Sequence, residues 1–379
     1  MARTRRRLIV KDRKKTALRI AFAVLALIVL AGIATLAYFI IKKAQTKFVT
    51  RELPLLDPSV CSGTGDGLLY VRDGMLHFYS FKDEDSNFTR GLKSGANPKG
   101  VAGTDGIKVV YSENALQIVG TDFDTTPDGR IIAVRCGRTH VAVCSRAANG
   151  RETITVFTSA GQNIKTFEYE PGCLMDFGFS EASGATVWTM ELATDSGSPR
   201  TTVSTFDLER MSSTGVITVS GQLVEDIFFT SSSVFVVGTE SLIRYSASAN
   251  REVYRVQLYG YRVADVSLAG DAPLLMLVPR DEEDITEMSS IRLMKVQQKD
   301  VAGESAVTVT LPASPVGCHL AGGSLVVTTA NSVVMFDPSG AQIASQALPV
   351  GVTTRSEKLD EHHILLERSG EFVLLTVGK

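Results

Sequence analysis

The sequence predicts an all-β protein: a β-propeller of about eight four-stranded blades, preceded by one N-terminal transmembrane helix. Two observations lead to this architecture. An uncharged apolar run of helical length lies near the N-terminus, and beyond residue 57 a pair of short apolar strands around a polar turn recurs eight times. No long stretch of that second part shows helical periodicity.

The apolar run at 20–41, IAFAVLALIVLAGIATLAYFII, contains no charged residue. At 1.5 Å per residue a helix over it is about 33 Å long, enough to cross the hydrocarbon core of a bilayer. Nine basic residues precede the run and four, up to Arg51, follow it. Because basic residues favour the cytoplasmic side, we expect residues 1–19 to form a basic cytoplasmic tail and residues 20–41 a signal anchor.

A cleaved signal peptide is the alternative for this segment. Gly32 and Ala34 resemble part of a cleavage site, but no polar region precedes them. The apolar run also exceeds the roughly 7–15 residues of a usual signal core. We therefore expect an uncleaved single-pass membrane protein whose C-terminal part lies outside the cytoplasm.

Charge divides unevenly along the chain. Beyond residue 51 there are 26 basic and 40 acidic residues, a net charge of −14. An acidic surface repels nucleic acid and anionic headgroups, so nucleic acid is not an expected partner. The basic tail is explained by topology and by the anionic inner leaflet.

The recurring unit is a strand pair such as LLYVRDGMLHFYSF, in which Asp73-Gly74 forms a hairpin turn. Its copies begin at residues 68, 107, 140, 186, 234, 274, 325 and 364, and a mean spacing of about 42 residues is typical of four-stranded propeller blades. Many first strands of these pairs (LLYV, VFVV, LLML) are apolar on both faces, as middle strands between neighbouring blades should be. Further short strands precede and follow most pairs.

Ring closure follows from the ends of this repeat. The last pair lacks a fourth strand, and KFVTRELPLL at 47–56 could supply it, which would remove free sheet edges. We therefore expect a juxtamembrane linker and ring-closing strand at 42–56 and an extracytoplasmic propeller at 57–379. A seven-bladed ring is the main alternative, because the unit at 107 is short. An open β-solenoid is a weaker one.

Five cysteines lie in the C-terminal part. A turn at Gly137-Arg138 would place Cys136 opposite Thr139 and Cys144 opposite Ile131, too far apart along the ladder to bridge. More distant pairings stay open. No Cys-x-x-Cys motif supports zinc or redox chemistry.

Three predicted inner strands carry an acid at an equivalent place: Asp176, Asp226 and Asp265. Inner strands line the channel of a propeller, so three carboxylates on adjacent blades could form a calcium or magnesium site. The alternative, which we favour, is that each aspartate accepts hydrogen bonds from nearby backbone amides. No metal and no cofactor is expected.

Two other groups have ordinary explanations. The acidic cluster at 281–284 sits in an unusually long insertion at 280–288; a solvated loop tip is expected there, and a partner contact is the alternative. The histidines show no metal-ligand spacing; they are His77, His140, His319, His362 and His363. No nucleophile elbow and no phosphate-binding loop occurs.

The segment TTPDGRIIAV at 125–134 resembles the Ser-Pro-Asp-Gly turn that begins a strand in WD-type and related bacterial propellers. The whole layout resembles an uncharacterised bacterial family of single-pass membrane proteins with an extracytoplasmic WD-like or quinoprotein-like propeller. The chain lacks the Trp-Asp and Gly-His dipeptides of true WD repeats. Of the quinoprotein blade motif only Ser183-Gly184 and Trp188 are present, so no quinone cofactor is expected.

These features together predict a non-catalytic, membrane-anchored scaffold that contacts other proteins of the bacterial cell envelope. A ligand- or cation-binding sensor that uses the propeller channel is the alternative. A propeller-type hydrolase or lyase ranks last, because it would need a convergent His/Asp/Arg cluster that no motif indicates.

Overall fold

Short alternating turns and strands, with no helical periodicity, produce an all-β structure. The computed structural model describes residues 29, 32, 48–54, 60–92, 97–180, 184–247, 250–270, 272–296 and 306–378. Within them, 32 strands form eight antiparallel four-stranded sheets, so the ring has eight blades and the seven-bladed alternative is wrong.

The first four blades follow the chain in order. Blade 1 contains β2 (Cys61–Gly63), β3 (Gly67–Arg72), β4 (Met75–Ser80) and β5 (Phe88–Gly91). Blade 2 contains β6 (Gly100–Gly103), β7 (Lys108–Tyr111), β8 (Leu116–Ile118) and β9 (Asp124–Thr125). Blade 3 contains β10 (Arg130–Cys136), β11 (His140–Arg146), β12 (Glu152–Thr158) and β13 (Asn163–Tyr169). Blade 4 contains β14 (Leu174–Phe179), β15 (Thr186–Asp195), β16 (Ser198–Asp207) and β17 (Ser212–Ser220).

The next three blades repeat this order. Blade 5 contains β18 (Val224–Phe229), β19 (Ser233–Gly238), β20 (Ser241–Ser246) and β21 (Glu252–Gln257). Blade 6 contains β22 (Tyr261–Ser267), β23 (Leu274–Pro279), β24 (Ser290–Lys295) and β25 (Ala306–Thr310). Blade 7 contains β26 (Pro315–Ala321), β27 (Ser324–Thr329), β28 (Ser332–Phe336) and β29 (Gln342–Ala347). Short 3₁₀ helices lie at Glu84–Ser86 and Ile285–Glu287.

Blade 8 joins the two ends of the repeat. It contains β30 (Thr353–Lys358), β31 (His363–Arg368), β32 (Glu371–Val377) and, as its outer strand, β1 (Phe48–Glu52). The backbone N–H of Leu53, just after β1, donates to the carbonyl of Phe372 in β32. Strand β1 thus lies within the 47–56 segment for which a ring-closing strand was predicted.

The first strand of each blade lies innermost. First strands of neighbouring blades contact one another, as β2 and β6 do, and so do β6 and β10, β10 and β14, β22 and β26, and β26 and β30. The connections from one blade to the next, and the loops between second and third strands, emerge on one side, which we call the connection face. The remaining loops emerge on the opposite face, where β1 begins and β32 ends.

The core is divided among the gaps between blades. One cluster between blades 6 and 7 joins Leu274, Met276 and Ile291 to Leu320 and Val327. Another, between blades 4 and 5, contains buried Trp188. Because each sheet is covered on both faces by its neighbours, strands such as β19 and β23 are apolar in succession.

The predicted register around two cysteines is wrong. The N–H of Gly137 bonds to the carbonyl of His140, so the turn lies at Arg138-Thr139. Cys136 pairs with Val141 and Cys144 with Ala133, because the turn lies one residue later than predicted; the bulge between Ile131 and Ala133 lies beyond both of these pairs. Cys136, Cys144, Cys173 and Cys318 are free thiols.

The chain divides into two compact units, Met1–Val49 with Gly378–Lys379, and Thr50–Val377. The predicted tail at 1–19 lies outside the described residues. So does the predicted transmembrane helix, apart from Val29 and Gly32, which are both helical. Among the described residues there is no helix of sufficient length and apolarity to cross a bilayer.

Candidate functional site

Six inner strands share a bulge near the connection face. In each, the register with the second strand skips one residue: Ile132, Met175, Glu225, Ala264, Val316 and Thr354 in blades 3 to 8. A bulge bends its strand and redirects the next side chain. The residues that follow the six skipped positions are therefore equivalent: Ala133, Asp176, Asp226, Asp265, Gly317 and Arg355.

The three candidate acids thus occupy equivalent channel positions in blades 4, 5 and 6. In each, the carboxylate oxygen Oδ1 accepts a hydrogen bond from the backbone N–H of the following residue. The distances are 2.8 Å from Phe177, 2.8 Å from Ile227 and 2.7 Å from Val266. Each aspartate therefore accepts a hydrogen bond from a neighbouring backbone amide, as in the interpretation that the sequence favoured.

The three carboxylates differ in the cations around them. Asp176 lies 3.8 Å from the guanidinium of Arg135, and both side chains are about half exposed. Asp265 is mostly buried and accepts from Lys358 Nζ at 3.0 Å and from the N–H of Leu320 at 2.7 Å. No cationic side chain in the described part of the chain forms a salt bridge with Asp226.

Asp226 has the most perturbed chemistry of the three. Burial raises the pKa of its carboxyl group, the Ile227 N–H lowers it, and the nearby Asp176 carboxylate raises it again. The residue is exposed on the channel side, where it lines a cavity. A carboxyl group with a raised pKa and no salt-bridge partner attracts cations more strongly than a paired one.

A polar network fills the channel on the side of blades 6 to 8. Lys358 Nζ donates to the carbonyl of Val266 at 2.9 Å and lies 3.7 Å from Glu361. The Glu361 carboxylate accepts from Ser267 Oγ at 2.6 Å, and its backbone carbonyl accepts from Gly322 at 2.6 Å. Glu361, in the loop between β30 and β31 of blade 8, is therefore bonded to both blade 7 and blade 6.

His319 belongs to the same network. Its Nε2 lies 3.0 Å from Ser356 Oγ. Burial lowers the pKa of this histidine most strongly, with Asp265 raising it and Lys358 lowering it. The imidazole is therefore neutral near pH 7 and acts as a hydrogen-bonding group between blades 7 and 8.

A cavity of about 340 Å³ opens beside these acids. Asp226, Asp265 and Glu361 supply its carboxylates, and it is otherwise lined by Ile227, Phe228, Val263, Ala264, Val266 and Leu268. Its chemistry suits a small cationic group. In the described part of the chain, no three His, Cys, Asp or Glu side chains are close enough together to hold a metal ion.

A larger cleft of about 690 Å³ lies between blades 2 and 3, away from the channel acids. The predicted Thr-Pro-Asp-Gly turn forms one wall, and Lys99, Arg130 and Arg146 contribute basic groups. Arg130 lies 3.0 Å from Glu113, and Arg146 Nε donates to Glu152 at 2.9 Å. With two of its three cations paired to carboxylates, this cleft has little free positive charge.

Sequence reasoning found the three aspartates and missed their partners. Lys358 and Glu361 lie more than 90 residues from the groups they bind in blade 6. His319 was considered only as a metal ligand, although it bonds to a serine. No local pattern marks these residues, because the ring brings them together.

No protein-family model and no curated protein matches the chain. Among solved structures it is similar to the computationally designed protein Ika8, with a TM-score of 0.54 and 10% identity, over 86% of this chain and 98% of that one. A chain of the mitotic checkpoint complex gives a TM-score of 0.45 and 10% identity, over 74% of this chain and 91% of that one. At this identity the likeness to Ika8 shows the fold alone, a β-propeller.

Proposed function

We propose that the protein is a non-catalytic interaction scaffold: an extracytoplasmic β-propeller, anchored in the membrane of a bacterial cell envelope, that binds other envelope proteins. The observation that carries the proposal is the distribution of exposed apolar side chains. Six of them lie on the connection face: Met75, Met175, Leu223, Tyr259, Val350 and Val352. Exposed apolar area on one face favours binding to another protein, and these side chains supply such area.

The loops that present these side chains are held in place. Buried Arg368 donates to the carbonyls of Ala330, Pro349 and Gly351, and so fixes the loop that carries fully exposed Val350. A rigid loop loses little conformational entropy when it binds, so its apolar contacts contribute more to affinity. A closed ring of eight blades with fixed loops is suited to binding proteins.

The membrane context rests on the sequence. The apolar run at 20–41 and the basic residues before it favour a single-pass anchor with the propeller outside the cytoplasm. The chain enters the propeller through β1 at the opposite face.

Site-specific photo-crosslinking in intact cells tests the scaffold. The full-length chain would carry p-benzoylphenylalanine at Val350 on the connection face or, as the matched control, at Met211 on the opposite face; both are exposed. We expect adducts with another envelope protein from position 350 and few from position 211. Equal adduct yields at positions 350 and 211, or no protein adduct from position 350, would argue against the scaffold function.

The location is tested separately by protease access. In cells whose outer layers are opened but whose inner membrane is sealed, protease should degrade the propeller and spare the tail at 1–19. Detergent solubilisation should expose both. A propeller protected until the membrane is dissolved would place it in the cytoplasm and contradict the predicted orientation.

The alternative is a sensor that binds a small cation or cationic ligand in the channel. The observation in its favour is the cavity beside Asp226, which forms no salt bridge with the residues that the structure describes. A rise in the thermal midpoint with calcium or a small amine, lost on Asp226→Ala, would support it. A hydrolase or lyase remains the least favoured function.

A further inference from the structure

The most unusual exposed residue on the connection face is Tyr259. It is 83% exposed and has a φ of 46°, in the left-handed region that tyrosine rarely adopts. Gly260 follows with a φ of 83°, and the N–H of Tyr261 bonds to the carbonyl of Leu258 at 3.0 Å, which closes a tight turn. Such turns prefer Asn, Asp or Gly at the first central position.

The fold does not require an aromatic side chain there. An exposed ring contributes nothing to the core, and the backbone conformation would be easier for a smaller residue. A residue held in an unfavourable conformation without a structural role points to function. Tyrosine is also among the residues that contribute most to protein–protein binding energy.

Two more apolar side chains lie beside neighbouring blade connections. Met175, 49% exposed, follows the connection into blade 4, and Leu223, 42% exposed, lies in the connection into blade 5. Tyr259 lies in the connection into blade 6. Blades 4 to 6 therefore each present one apolar side chain on the connection face, and we call this part of the surface the blade 4–6 sector.

Backbone bonds between adjacent segments hold the sector. Thr239 N–H donates to the Leu223 carbonyl at 2.9 Å, and Leu258 N–H donates to the Glu240 carbonyl at 2.8 Å. Across the gap between blades 5 and 6, Arg280 forms a two-bond salt bridge with Glu225, at 2.5 and 2.9 Å. The three apolar side chains thus project from a preorganised platform.

The sector is strongly acidic around its apolar side chains. Its exposed carboxylates belong to Glu170, Asp195, Glu240, Asp281, Glu282, Glu283, Asp284 and Glu287. Among the described residues of the sector, the exposed basic side chain is Arg200, which lies 3.7 Å from Asp195. Arg280 is paired with Glu225 in the salt bridge described above. An acidic rim around apolar anchors complements a partner with lysine and arginine beside apolar side chains.

We propose that the blade 4–6 sector, centred on Tyr259, is the docking site for a partner protein segment that carries apolar side chains flanked by lysine or arginine. The ring of Tyr259 packs against the apolar side chains, and the 281–284 loop and Glu240 face the basic ones. This inference rests on the proposed scaffold function and specifies where the partner binds and which residues it uses.

The test uses a photo-crosslinker at Leu223 as the reporter in the full-length chain in cells. Tyr259→Asn removes the ring and leaves a residue that suits the turn, so folding is preserved. We expect the adduct at position 223 to fall at least tenfold. Met211→Asn is the matched control: Met211 is also exposed and left-handed, with a φ of 52°, but lies on the opposite face. It should leave the adduct unchanged.

The role of the acidic 281–284 loop is tested by combining Glu282→Lys with Glu283→Lys. This double variant should reduce the adduct at position 223 severalfold. Sequencing of the crosslinked peptide should find lysine or arginine next to apolar residues. An acidic peptide, a second copy of this chain, or a lipid as the adduct would overturn the proposal. So would an adduct that Tyr259→Asn does not reduce.

A second reporter at Val350 separates this inference from the scaffold function. Adducts at position 350 without any at 223 would refute the blade 4–6 sector and leave the scaffold standing. No protein adduct at either position would refute both. Circular dichroism and thermal midpoints of each purified variant exclude misfolding as the cause of a lost adduct.

Discussion

The ammonium group of Lys358 in blade 8 lies 3.0 Å from the carboxylate of Asp265 in blade 6. Both side chains are mostly buried, and blade 7 lies between the two blades in the ring. The same ammonium bonds to the carbonyl of Val266. One lysine therefore connects blades that are not neighbours.

Replacing Lys358 by methionine should destabilise the propeller. The change leaves the Asp265 carboxylate and the Val266 carbonyl without their cation, and we expect a loss of about 2 kcal/mol in the free energy of unfolding. Urea unfolding of the full-length chain in detergent measures it. Lys295→Met, at an exposed position, should change the free energy by less than about 0.5 kcal/mol. Equal changes in the free energy of unfolding for the two variants would mean that the bonds of Lys358 do not stabilise the fold.

Asp226 should make stability depend on pH. Its folded pKa is raised, mainly by burial, so the folded protein binds a proton more tightly than the unfolded chain does. This carboxyl group therefore favours folding below the ordinary aspartate pKa, 3.8, and this contribution is lost as pH rises through the raised value. Asp226→Asn keeps the acceptor for Ile227 and removes the titration.

The variant should have a higher thermal midpoint than the wild type at pH 7, and the two should converge toward pH 3.8. Scanning calorimetry over this range gives the comparison. Asp281→Asn, in an exposed loop, should leave the midpoint unchanged at each pH. If the difference in thermal midpoint between Asp226→Asn and the wild type stayed constant from pH 7 to pH 4, the raised pKa of Asp226 would be contradicted.

Gly129 should be the least replaceable residue of the Thr-Pro-Asp-Gly turn. Its φ is 97°, and a Cβ atom there would lie 2.5 Å from the carbonyl oxygen of Arg146, which is too close. Gly129→Ala should therefore cost about 3 kcal/mol, from backbone strain and from this clash. Gly74→Ala is the control, because Gly74 has a φ of 71° but open space around it. It should cost about 1 kcal/mol, and a similar cost at both sites would refute the clash.

Three cysteines should resist alkylation in the folded protein. Burial raises the pKa of Cys136, Cys144 and Cys318 to about 12, so almost no thiolate is present at pH 8. A short pulse of iodoacetamide followed by mass spectrometry should leave all three unmodified until urea is added. Partly exposed Cys173 should react in the folded state. Rapid labelling of Cys318 before unfolding would contradict its burial.

The blade pattern could be predicted because packing imposes it on each strand. Strands β3, β19, β23 and β27 are covered on both faces, and each shows an unbroken apolar run in the sequence. The turn residues between the paired strands marked where each unit lies along the chain and so indicated the spacing between units. Eight units could therefore be counted from local pattern alone, even though blade 2 has the shortest strands.

The inner-strand bulges could not be predicted in this way. The skipped residues include Met175, Glu225 and Val316, and no residue type is common to them. The cysteine register was wrong for another reason: the turn lies at Arg138-Thr139, one residue later than predicted, which moves the partner of Cys144 from Ile131 to Ala133. The turn at Tyr259 also lacks a signal, since tyrosine is not a turn-forming residue.

The closure of blade 8 has a consequence for biosynthesis. Strand β1 is made before every other strand of the propeller, and its partner β32 is made after all of them. During vectorial synthesis, β1 must wait unpaired until β32 has emerged. Until that moment the nascent sheet array has two unsatisfied edges, which are templates for wrong pairing. The ring therefore cannot close before β32 has been made, and a chaperone that shields those edges would act before that step.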